Sequence, residues 1–229
     1  MLRFIKKVFI GFFLFHLFYL VILKFVDPPI TITQLSSVFN GNGFNRNQVS
    51  LKDISVHGRL AVIASEDQLF PDHNGFDIKS IKKALAYNKK KPGRVRGAST
   101  ISQQVAKNVF LWQGRSWIRK GLEVYFTFMI EIIWGKKRIL EVYLNEAEMG
   151  KGIFGIEAAS KKYFNHRASK LTKSEAAMIA ASLPNPIRFT VKPQSRYVAR
   201  KYPWVMRQMS NLSADPDVQE IINVGRSTK

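Results

Sequence analysis

The N-terminal segment constrains the fold of this chain more than any other stretch. After three basic residues near the N-terminus, the run from Val8 to Leu23 contains no charged side chain. The aliphatic part of Lys24 can lie against lipid while its ammonium group reaches water, so the apolar segment extends to Val26. This length is close to the roughly 20 residues that a membrane-spanning helix needs.

A cleaved signal peptide is the alternative interpretation of this segment. Its apolar region would be shorter, and small residues would mark a cleavage site after it. Here the sequence continues as "DPPITITQ", which favours an uncleaved anchor over residues 8–26. Basic residues precede the span, and none occurs from Asp27 to Asn45. This bias places residues 1–7 in the cytoplasm and the rest of the chain on the outer side of the membrane.

The charge of the chain indicates the chemistry of its partner. The 229 residues include 36 Lys and Arg against 16 Asp and Glu, giving a net charge of +20, and no cysteine. Such a charge favours a polyanion, which means nucleic acid, an anionic membrane or a phosphorylated ligand. An outward-facing domain argues against nucleic acid and favours lipid head groups and lipid-linked phosphates. Without cysteine, disulfides and thiolate metal sites are excluded.

The pattern beyond the span predicts a mainly α fold. Residues 27–50 are rich in Thr, Ser, Asn and Gly, and we interpret them as a connector or a short extended piece. Helical periodicity runs through a single domain over residues 51–210, and the tail at 211–229 has no recognisable site. The predicted helices include one that Asp77 caps, one that Ser99 caps, and the spans Trp117–Trp134, Arg138–Leu144, Ile156–Phe164, Ser174–Leu183 and Gln194–Met209.

Acidic residues follow the apolar run "LAVIA" directly. Glu66, Asp67, His73 and Asp77 lie within twelve residues. Partial burial at the end of an apolar helix raises the pKa of a carboxyl group, which suits a general base. The alternative is a helix end with solvated acids and a structural histidine. One histidine with scattered acids does not form a recognisable metal-ligand spacing.

A polar ridge is predicted in the stretch "GASTISQQVAKN". On a helix, its hydroxyl, amide and lysine side chains recur at intervals of three or four residues, and arginines precede them. With the free N–H groups and the positive dipole end of the helix, the ridge could bind an anion of the phosphate type. A solvated helix face is the alternative. The candidate substrate-binding residues here are Arg96, Ser99, Thr100, Gln103, Gln104 and Lys107, with Arg94 nearby.

A second group of cations surrounds another acid. Arg115, Arg119 and Lys120 precede Glu123, and Lys120 and Glu123 are three residues apart on a predicted helix. The group is either a weak surface ion pair or a carboxylate that faces the same cleft as Glu66. The very apolar segment that follows, residues 124–134, is either core or a surface that lies on the bilayer.

The last notable segment contains Gly150, Gly152 and Gly155 between two helical patterns. Glycines at these positions indicate a tight turn or a close approach of the backbone. Glu141 and Asn145 lie one turn apart on the preceding helix, where a structural role is favoured over a catalytic one.

Five motifs in order carry a resemblance to a known family. They are "EDQLFPDHNGFD", "RGASTISQQVAKN", "RKGLE", "KKRILEVYLNEAEMGKGIFGIEAASKKYF" and "LTKSEAAMIAASLPNPIRF". Together they cover about residues 60–190. The chain closely resembles the monofunctional biosynthetic peptidoglycan glycosyltransferases, relatives of the glycosyltransferase domain of bifunctional penicillin-binding proteins. Ala98 stands where many relatives have a second glycine. No transpeptidase domain follows the motifs, so no peptide cross-linking is expected.

The resemblance implies a lysozyme-like fold with a large and a small lobe, located at the outer face of a bacterial inner membrane. It implies polymerisation of lipid II into β-1,4-linked glycan, with inversion and release of undecaprenyl diphosphate. Glu66 matches the catalytic base of the family, and Glu123 matches a second important acid. Asp67, Arg115, Arg119 and Lys120 are further candidate substrate-binding residues. Lys107, Arg115 and the polar ridge can supply the positive charge that the diphosphate needs.

The resemblance also bears on cofactors and partners. It allows a divalent cation such as Mg²⁺, for which Glu123 is the candidate ligand, and it implies no organic cofactor. The expected partners are lipid II, the growing lipid-linked glycan, the membrane and other proteins of cell-wall synthesis, but not nucleic acid. A degradative lysozyme-like enzyme and a noncatalytic scaffold are the alternatives. The cationic ridge argues against the first, and the intact Glu66 and Glu123 argue against the second.

Overall fold

The structure is a computed structural model that describes residues 1–91, 93, 97–114 and 116–224, with the backbone alone at Leu2 and Phe9. Among these residues, short strands form one small sheet: β1 (Asn45–Arg46), β2 (Glu148–Gly150) and β3 (Ile153–Phe154). The helices are α1 (Leu2–Phe25), α2 (Ile32–Phe39), α3 (Val56–Glu66), α4 (Ile78–Lys90), α5 (Ile101–Phe110), α6 (Trp117–Ile133), α7 (Lys136–Glu146), α8 (Ile156–Phe164), α9 (Lys173–Ser182), α10 (Arg196–Leu212) and α11 (Pro216–Ile222). The expected mainly α fold is confirmed.

Helix α1 is long and apolar enough over Arg3–Phe25 to cross a membrane. Its C-terminal end is attached to the rest of the protein. The indole of Trp134 donates a hydrogen bond to the carbonyl of Leu20 at 2.8 Å. The guanidinium group of Arg138 donates to the carbonyls of Leu23 and Val26 and pairs with Asp27. The end of the apolar helix therefore has a fixed position against α6 and α7.

The segment expected to be a connector contains helix α2. Thr31 and Gln34 form a reciprocal capping box at its N-terminus, in which each side chain accepts a hydrogen bond from the backbone N–H of the other. The expectation of a connector or a short extended piece over 27–50 therefore does not hold at residues 32–39, which form a helix. The signal was present in the sequence as a Thr followed three residues later by a Gln.

Helix α3 occupies the centre of the domain. Its residues from Gly58 to Ala64 are all buried, and it packs against α9 and α10. The alanines of α9 lack bulky side chains, so the two helices can approach closely. Because this stretch is buried, α3 is enclosed by other elements of the domain. This enclosure fixes the position of Glu66 at the C-terminal end of α3.

The small sheet has the strand order β1-β3-β2, in which β1 pairs parallel and β2 antiparallel with β3. The glycines around it confirm the expected tight turn. Gly152 has φ of 66°, and a Cβ there would lie 2.2 Å from the carbonyl oxygen of Asn42. At Gly150 a Cβ would lie within 2.0 Å of the hydroxyl of Tyr163. Side chains at these two positions would therefore disrupt the sheet.

Most predicted helix ends agree with the structure. Asp77 caps α4 by accepting from the N–H of Ser80 at 2.8 Å, and α8 has the predicted bounds. Helix α5 begins one residue later than expected, because Thr100 rather than Ser99 caps it. In the tail, α11 buries Val218, Ile221 and Ile222 against the core.

Helix α6 has features of both interpretations of the apolar segment after Glu123, which are a core helix and a surface that lies on the bilayer. One face buries Thr127 and Ile130. Val124, Phe128 and Ile132 are exposed on the same helix. Because α6 also packs against α1, its exposed apolar side chains belong to a helix that lies beside the candidate membrane span.

Candidate active site

Glu66 lies at the junction of α3, α5 and α9. Its carboxylate accepts a hydrogen bond from the amide of Gln104 on α5 at 2.9 Å. The hydroxyl of Ser65 lies 3.5 Å from its other oxygen, and this hydroxyl also donates to the carbonyl of Ala180 on α9 at 3.1 Å. The Glu66 side chain is half-buried. It therefore combines a fixed orientation with access from solvent.

Burial raises the pKa of the Glu66 carboxyl above its ordinary value. The hydrogen bond from Gln104 and the positive charge of Lys201 oppose this rise without cancelling it. A raised pKa makes a carboxylate a stronger base near neutral pH. The arrangement confirms the expectation that partial burial at the end of α3 raises the pKa of Glu66.

Tyr143 on α7 fixes the orientation of Gln104. Its hydroxyl donates to the amide oxygen of Gln104 at 3.3 Å, which leaves the amide N–H groups to face Glu66. Burial, with a smaller contribution from the charge of Glu66, raises the pKa of Tyr143 well above its ordinary value. Tyr143 is therefore a neutral donor, and the chain Tyr143–Gln104–Glu66 holds the carboxylate in one position.

Asp67 links two parts of the protein beside Glu66. Its carboxylate accepts a hydrogen bond from the N–H of Ile101, the first residue of α5, at 2.9 Å. His73 lies 3.0 Å from the same carboxylate, and the ring accepts at Nδ1 from the N–H of Gly75. Nε2 of a neutral His73 therefore carries the proton that Asp67 accepts. Asp67 is buried, and these contacts show that it holds α5 in position. Its contact with substrate stays a prediction.

The predicted polar ridge on α5 is divided in the structure. Thr100 and Gln103 are 2% and 4% exposed, and they form a capping box with each other. The hydroxyl of Thr100 also donates to the carbonyl of Gly75 at 2.6 Å. Ser99 is exposed and precedes the helix. The described residues of the ridge therefore do not form a continuous exposed face, because the capping of α5 uses the side chains of Thr100 and Gln103.

Lys107 lies one turn after Gln104, and its ammonium group interacts electrostatically with both Glu66 and Glu123. Burial lowers the pKa of its ammonium group, and the negative charges of Glu123 and Glu66 partly oppose this effect. Arg119 and Lys120 contribute further to lowering the pKa of Lys107. A half-buried lysine within the field of both carboxylates is suited to bind an anion that approaches Glu66.

Glu123 is 4% exposed on α6, which packs against α5. Its carboxylate pairs with the ammonium group of Lys120 at 2.5 Å and with the guanidinium group of Arg119 at 4.0 Å. Nε of Arg119 is buried and has no hydrogen-bond partner among the described residues. The pairing predicted between Lys120 and Glu123 is therefore confirmed. The buried Arg119 Nε could donate to a bound ligand.

Two predicted cations, Arg96 and Arg115, lie outside the described residues, as does Arg94. Their contribution to the site stays a prediction. Within the described ranges, no group of three or more His, Asp or Glu side chains could hold a metal ion. Glu123, the candidate metal ligand, is already paired with Lys120. The described residues therefore do not form a protein ligand set for a divalent cation.

Sequence reasoning missed the contribution of α10. Lys201 and Tyr197 lie one turn apart on this helix, and both interact electrostatically with Glu66. The ring of Tyr197 stacks on Phe189 at 3.9 Å between centroids. The spacing of these two residues in the sequence was visible, but only the packing of α10 against α3 and α9 places them near Glu66.

The site combines a half-buried carboxylate of raised pKa with a neighbouring group of cations, and comparison with known proteins defines its class. A family model described as Transglycosylase matches residues 32–210. The chain therefore belongs to the transglycosylase family and is a glycosyltransferase. Its matched region begins within α2 and ends within α10.

The chain is similar to proteins named biosynthetic peptidoglycan transglycosylase. Such relatives occur in Escherichia coli O157:H7 (strain EC4115 / EHEC), Shigella boydii serotype 4 (strain Sb227) and Escherichia coli (strain K12 / DH10B). Each is 56% identical to this chain over 190 residues, which are 82% of this chain and 78% of the relative.

Proposed function

We propose that this protein is a peptidoglycan transglycosylase that polymerises lipid II into β-1,4-linked glycan strands at the outer face of the inner membrane. The proposal rests on the observation that one site contains two chemically different regions. One is a carboxylate of raised pKa, Glu66, and the other is the cation group around Glu123. A sugar hydroxyl as nucleophile needs a base, and a diphosphate leaving group needs positive charge.

Glu66 acts as the general base in the proposed reaction. The 4-hydroxyl of one lipid-linked disaccharide attacks the anomeric carbon of the growing chain, and Glu66 accepts the proton of that hydroxyl. The new carbon–oxygen bond forms as the bond to the diphosphate breaks on the opposite face, so the configuration inverts. The electron pair of the broken bond leaves with undecaprenyl diphosphate.

The cation group stabilises the departing diphosphate. Lys107 lies within the field of both carboxylates, Lys120 is held by Glu123, and Arg119 has an unsatisfied buried donor. We propose that these three side chains stabilise the negative charge that develops on the diphosphate oxygen atoms. Arg96 and Arg115 are proposed to join them, on the resemblance of their motifs.

A divalent ion is given no step in this reaction. Glu123 is the one proposed ligand, and its carboxylate is engaged by Lys120 at 2.5 Å. The protein cations supply the positive charge instead, and assays with and without Mg²⁺ test this assignment. We propose no organic cofactor, and we propose the membrane, lipid II and other proteins of cell-wall synthesis as partners.

The direct experiment is an assay of the purified full chain with labelled lipid II in lipid or detergent. The expected result is formation of glycan strands, accompanied by release of undecaprenyl diphosphate. A degradative enzyme would instead shorten preformed glycan and leave lipid II unchanged. Failure to convert lipid II, while the chain remains folded by circular dichroism, would overturn the proposal.

A further inference from the structure

Helix α2 has its polar and apolar faces in the opposite arrangement to an ordinary surface helix. Its buried side chains are Gln34 and Ser37. A different set of apolar side chains is exposed: Ile32, Leu35, Val38 and Phe39, with Phe39 at 85%. In water a surface helix normally buries its apolar face and leaves its polar face to solvent.

Buried polar contacts fix the rotation of α2. The amide of Gln34 donates to the carboxylate of Glu146 at 2.7 Å, and Arg46 pairs with the same carboxylate at 3.2 Å. Ser37 donates to the carbonyl of Gly43 at 3.0 Å. Turning the helix over would leave the buried Glu146 with fewer partners, which is costly for a charged group. The apolar face therefore stays on the outside.

The position of α2 in the chain indicates what covers this face. Helix α1 ends at Phe25 and α2 begins at Ile32. The six residues between them span at most about 20 Å when fully extended. The carbonyls of Pro28 and Pro29 also accept hydrogen bonds from Arg46. Helix α2 is therefore held close to the membrane end of α1.

Charge distribution supports the same environment. In a chain with a net charge of +20, residues 28–45 contain no charged side chain. Phe25, Val26 and Ile30 are also exposed, so the end of α1 and the segment before α2 add exposed apolar side chains to those of α2. Exposed contiguous apolar surface of this kind marks an interaction site.

An exposed tryptophan is adjacent in sequence to a residue that contacts α2. The amide of Gln113 donates to the hydroxyl of Thr33 on α2 at 2.7 Å. This contact places the loop after α5, with the exposed Trp112, next to α2. Tryptophan side chains are enriched where membrane meets water, because the ring is apolar and its N–H is polar.

We propose that the exposed face of α2, formed by Ile32, Leu35, Val38 and Phe39, lies in the outer leaflet of the membrane that α1 spans. The inference rests on the proposed anchoring of α1. Helix α2 would then lie in the plane of the interface, with its apolar face buried about 5–10 Å into the boundary between head groups and acyl chains. It would thereby give the domain a second contact with the bilayer, in addition to α1, whose end is fixed against α6 and α7.

The chain has no cysteine, so single-cysteine labelling tests this proposal directly. Phe39→Cys and Leu35→Cys report on α2 in the full chain, Phe18→Cys reports on α1, and Asn211→Cys on α10 is the exposed control. Each variant carries an environment-sensitive fluorophore and is reconstituted into phosphatidylcholine–phosphatidylglycerol vesicles with or without nitroxide lipids. Circular dichroism confirms that each labelled variant is folded.

We expect the labels at positions 39 and 35 to emit at shorter wavelength than the label at 211. We also expect nitroxides near the head groups to quench them more than nitroxides deep in the acyl chains. Emission at position 39 equal to that of the control would overturn the inference. Short-wavelength emission without quenching would also overturn it, because a protein surface would then cover α2.

The label at position 18 distinguishes the proposal that α2 lies in the outer leaflet from the proposal that α1 spans the membrane. Deep quenching at position 18 with none at positions 35 and 39 leaves α1 as a span and rejects the role of α2. Absence of quenching at all three positions rejects the anchor as well. Neither result affects the lipid II assay, which tests the chemistry of Glu66.

Discussion

Glu66 and Glu123 are both carboxylates on helices that flank α5, yet their surroundings differ. Glu66 accepts a hydrogen bond from the neutral amide of Gln104 and lies beside the hydroxyl of Ser65, and burial raises the pKa of its carboxyl. Glu123 is buried against cations and pairs with Lys120. A carboxylate among neutral donors can accept a proton, whereas one in an ion pair serves to hold cations in place.

Lys107 joins these two regions. It lies on α5 one turn beyond Gln104, and its ammonium group feels both negative charges. The comparison predicts that the Glu66 region governs proton transfer, whereas the Glu123 region governs binding and departure of the diphosphate. Separate substitutions in the two regions should therefore affect different kinetic quantities.

Glu66→Gln should have the largest effect. Gln has the same shape but cannot accept the proton, so we expect lipid II polymerisation to fall by about 10²–10⁴-fold or more. The rate of glycan formation by the purified variant measures this loss. Glu220→Gln, at an exposed position on α11, is the matched control. Activity within a few per cent of the parent protein would reject Glu66 as the base.

The same variant should be more stable than the parent protein at neutral pH. A raised pKa means that folding favours the protonated carboxyl, so ionisation of Glu66 destabilises the fold as the pH rises through its raised pKa. Glu66→Gln avoids this ionisation. We expect its Tm to exceed that of the parent at pH 8, with the difference vanishing below the ordinary glutamate pKa of about 4.3.

Lys107→Ala should have the next largest effect. Loss of a preorganised cation at a developing negative charge reduces turnover by about 10²–10³-fold. Steady-state kinetics with lipid II measure kcat and KM, and Lys107→Arg should retain part of the activity. Lys52→Ala removes an exposed lysine elsewhere and serves as the control. Unchanged kinetics in Lys107→Ala would remove Lys107 from the cation group.

Glu123→Gln tests whether the second carboxylate acts by holding cations. Loss of its charge frees Lys120 and Arg119 from their partner, so we expect a smaller loss of kcat/KM than in Glu66→Gln. The pH dependence of the remaining activity should stay that of Glu66. Two results would show that the division between the two regions is mistaken. One is a shift of the acidic side of the pH–rate profile, and the other is a loss of kcat/KM as large as that of Glu66→Gln.

Gln104→Leu should have the smallest effect and a specific signature. The hydrogen bond from Gln104 lowers the pKa of Glu66, so its removal should raise that pKa further. Because the base must be ionised, the acidic limb of the pH–rate profile should move to higher pH. The profile of kcat/KM between pH 5 and pH 9 measures the shift, with Gln103→Leu at the adjacent capping position as a comparison for structural damage. A limb displaced to lower pH would contradict the assigned hydrogen bond.

Local sequence signals were sufficient for much of the fold. Asp77 caps α4 and α8 runs from Ile156 to Phe164, both as the pattern indicated. These features depend on residues three or four positions apart, so the chain encodes them without reference to distant parts. The same reasoning located Glu66 at the end of an apolar helix and predicted its raised pKa.

Contacts between residues that are far apart in the chain could not be predicted from the sequence pattern. The pattern of α5 suggested one polar ridge, but Thr100 bonds to Gly75 and the capping box buries Gln103. Lys201 reaches the field of Glu66 only because α10 packs on α3. In each case the partner lies on another element, whose placement depends on the packing of the whole core.

The sequence by itself therefore determined the helical character of the chain, its apolar N-terminal segment and the identity of its acids and cations. Local propensity, capping and apolar periodicity act over one or two turns of chain. Tertiary structure alone decided the outward apolar face of α2, the separate settings of Glu66 and Glu123, and the position of Lys107 within the field of both. These properties arise from burial and from charges brought together across the fold, and both depend on distances that a linear pattern does not contain.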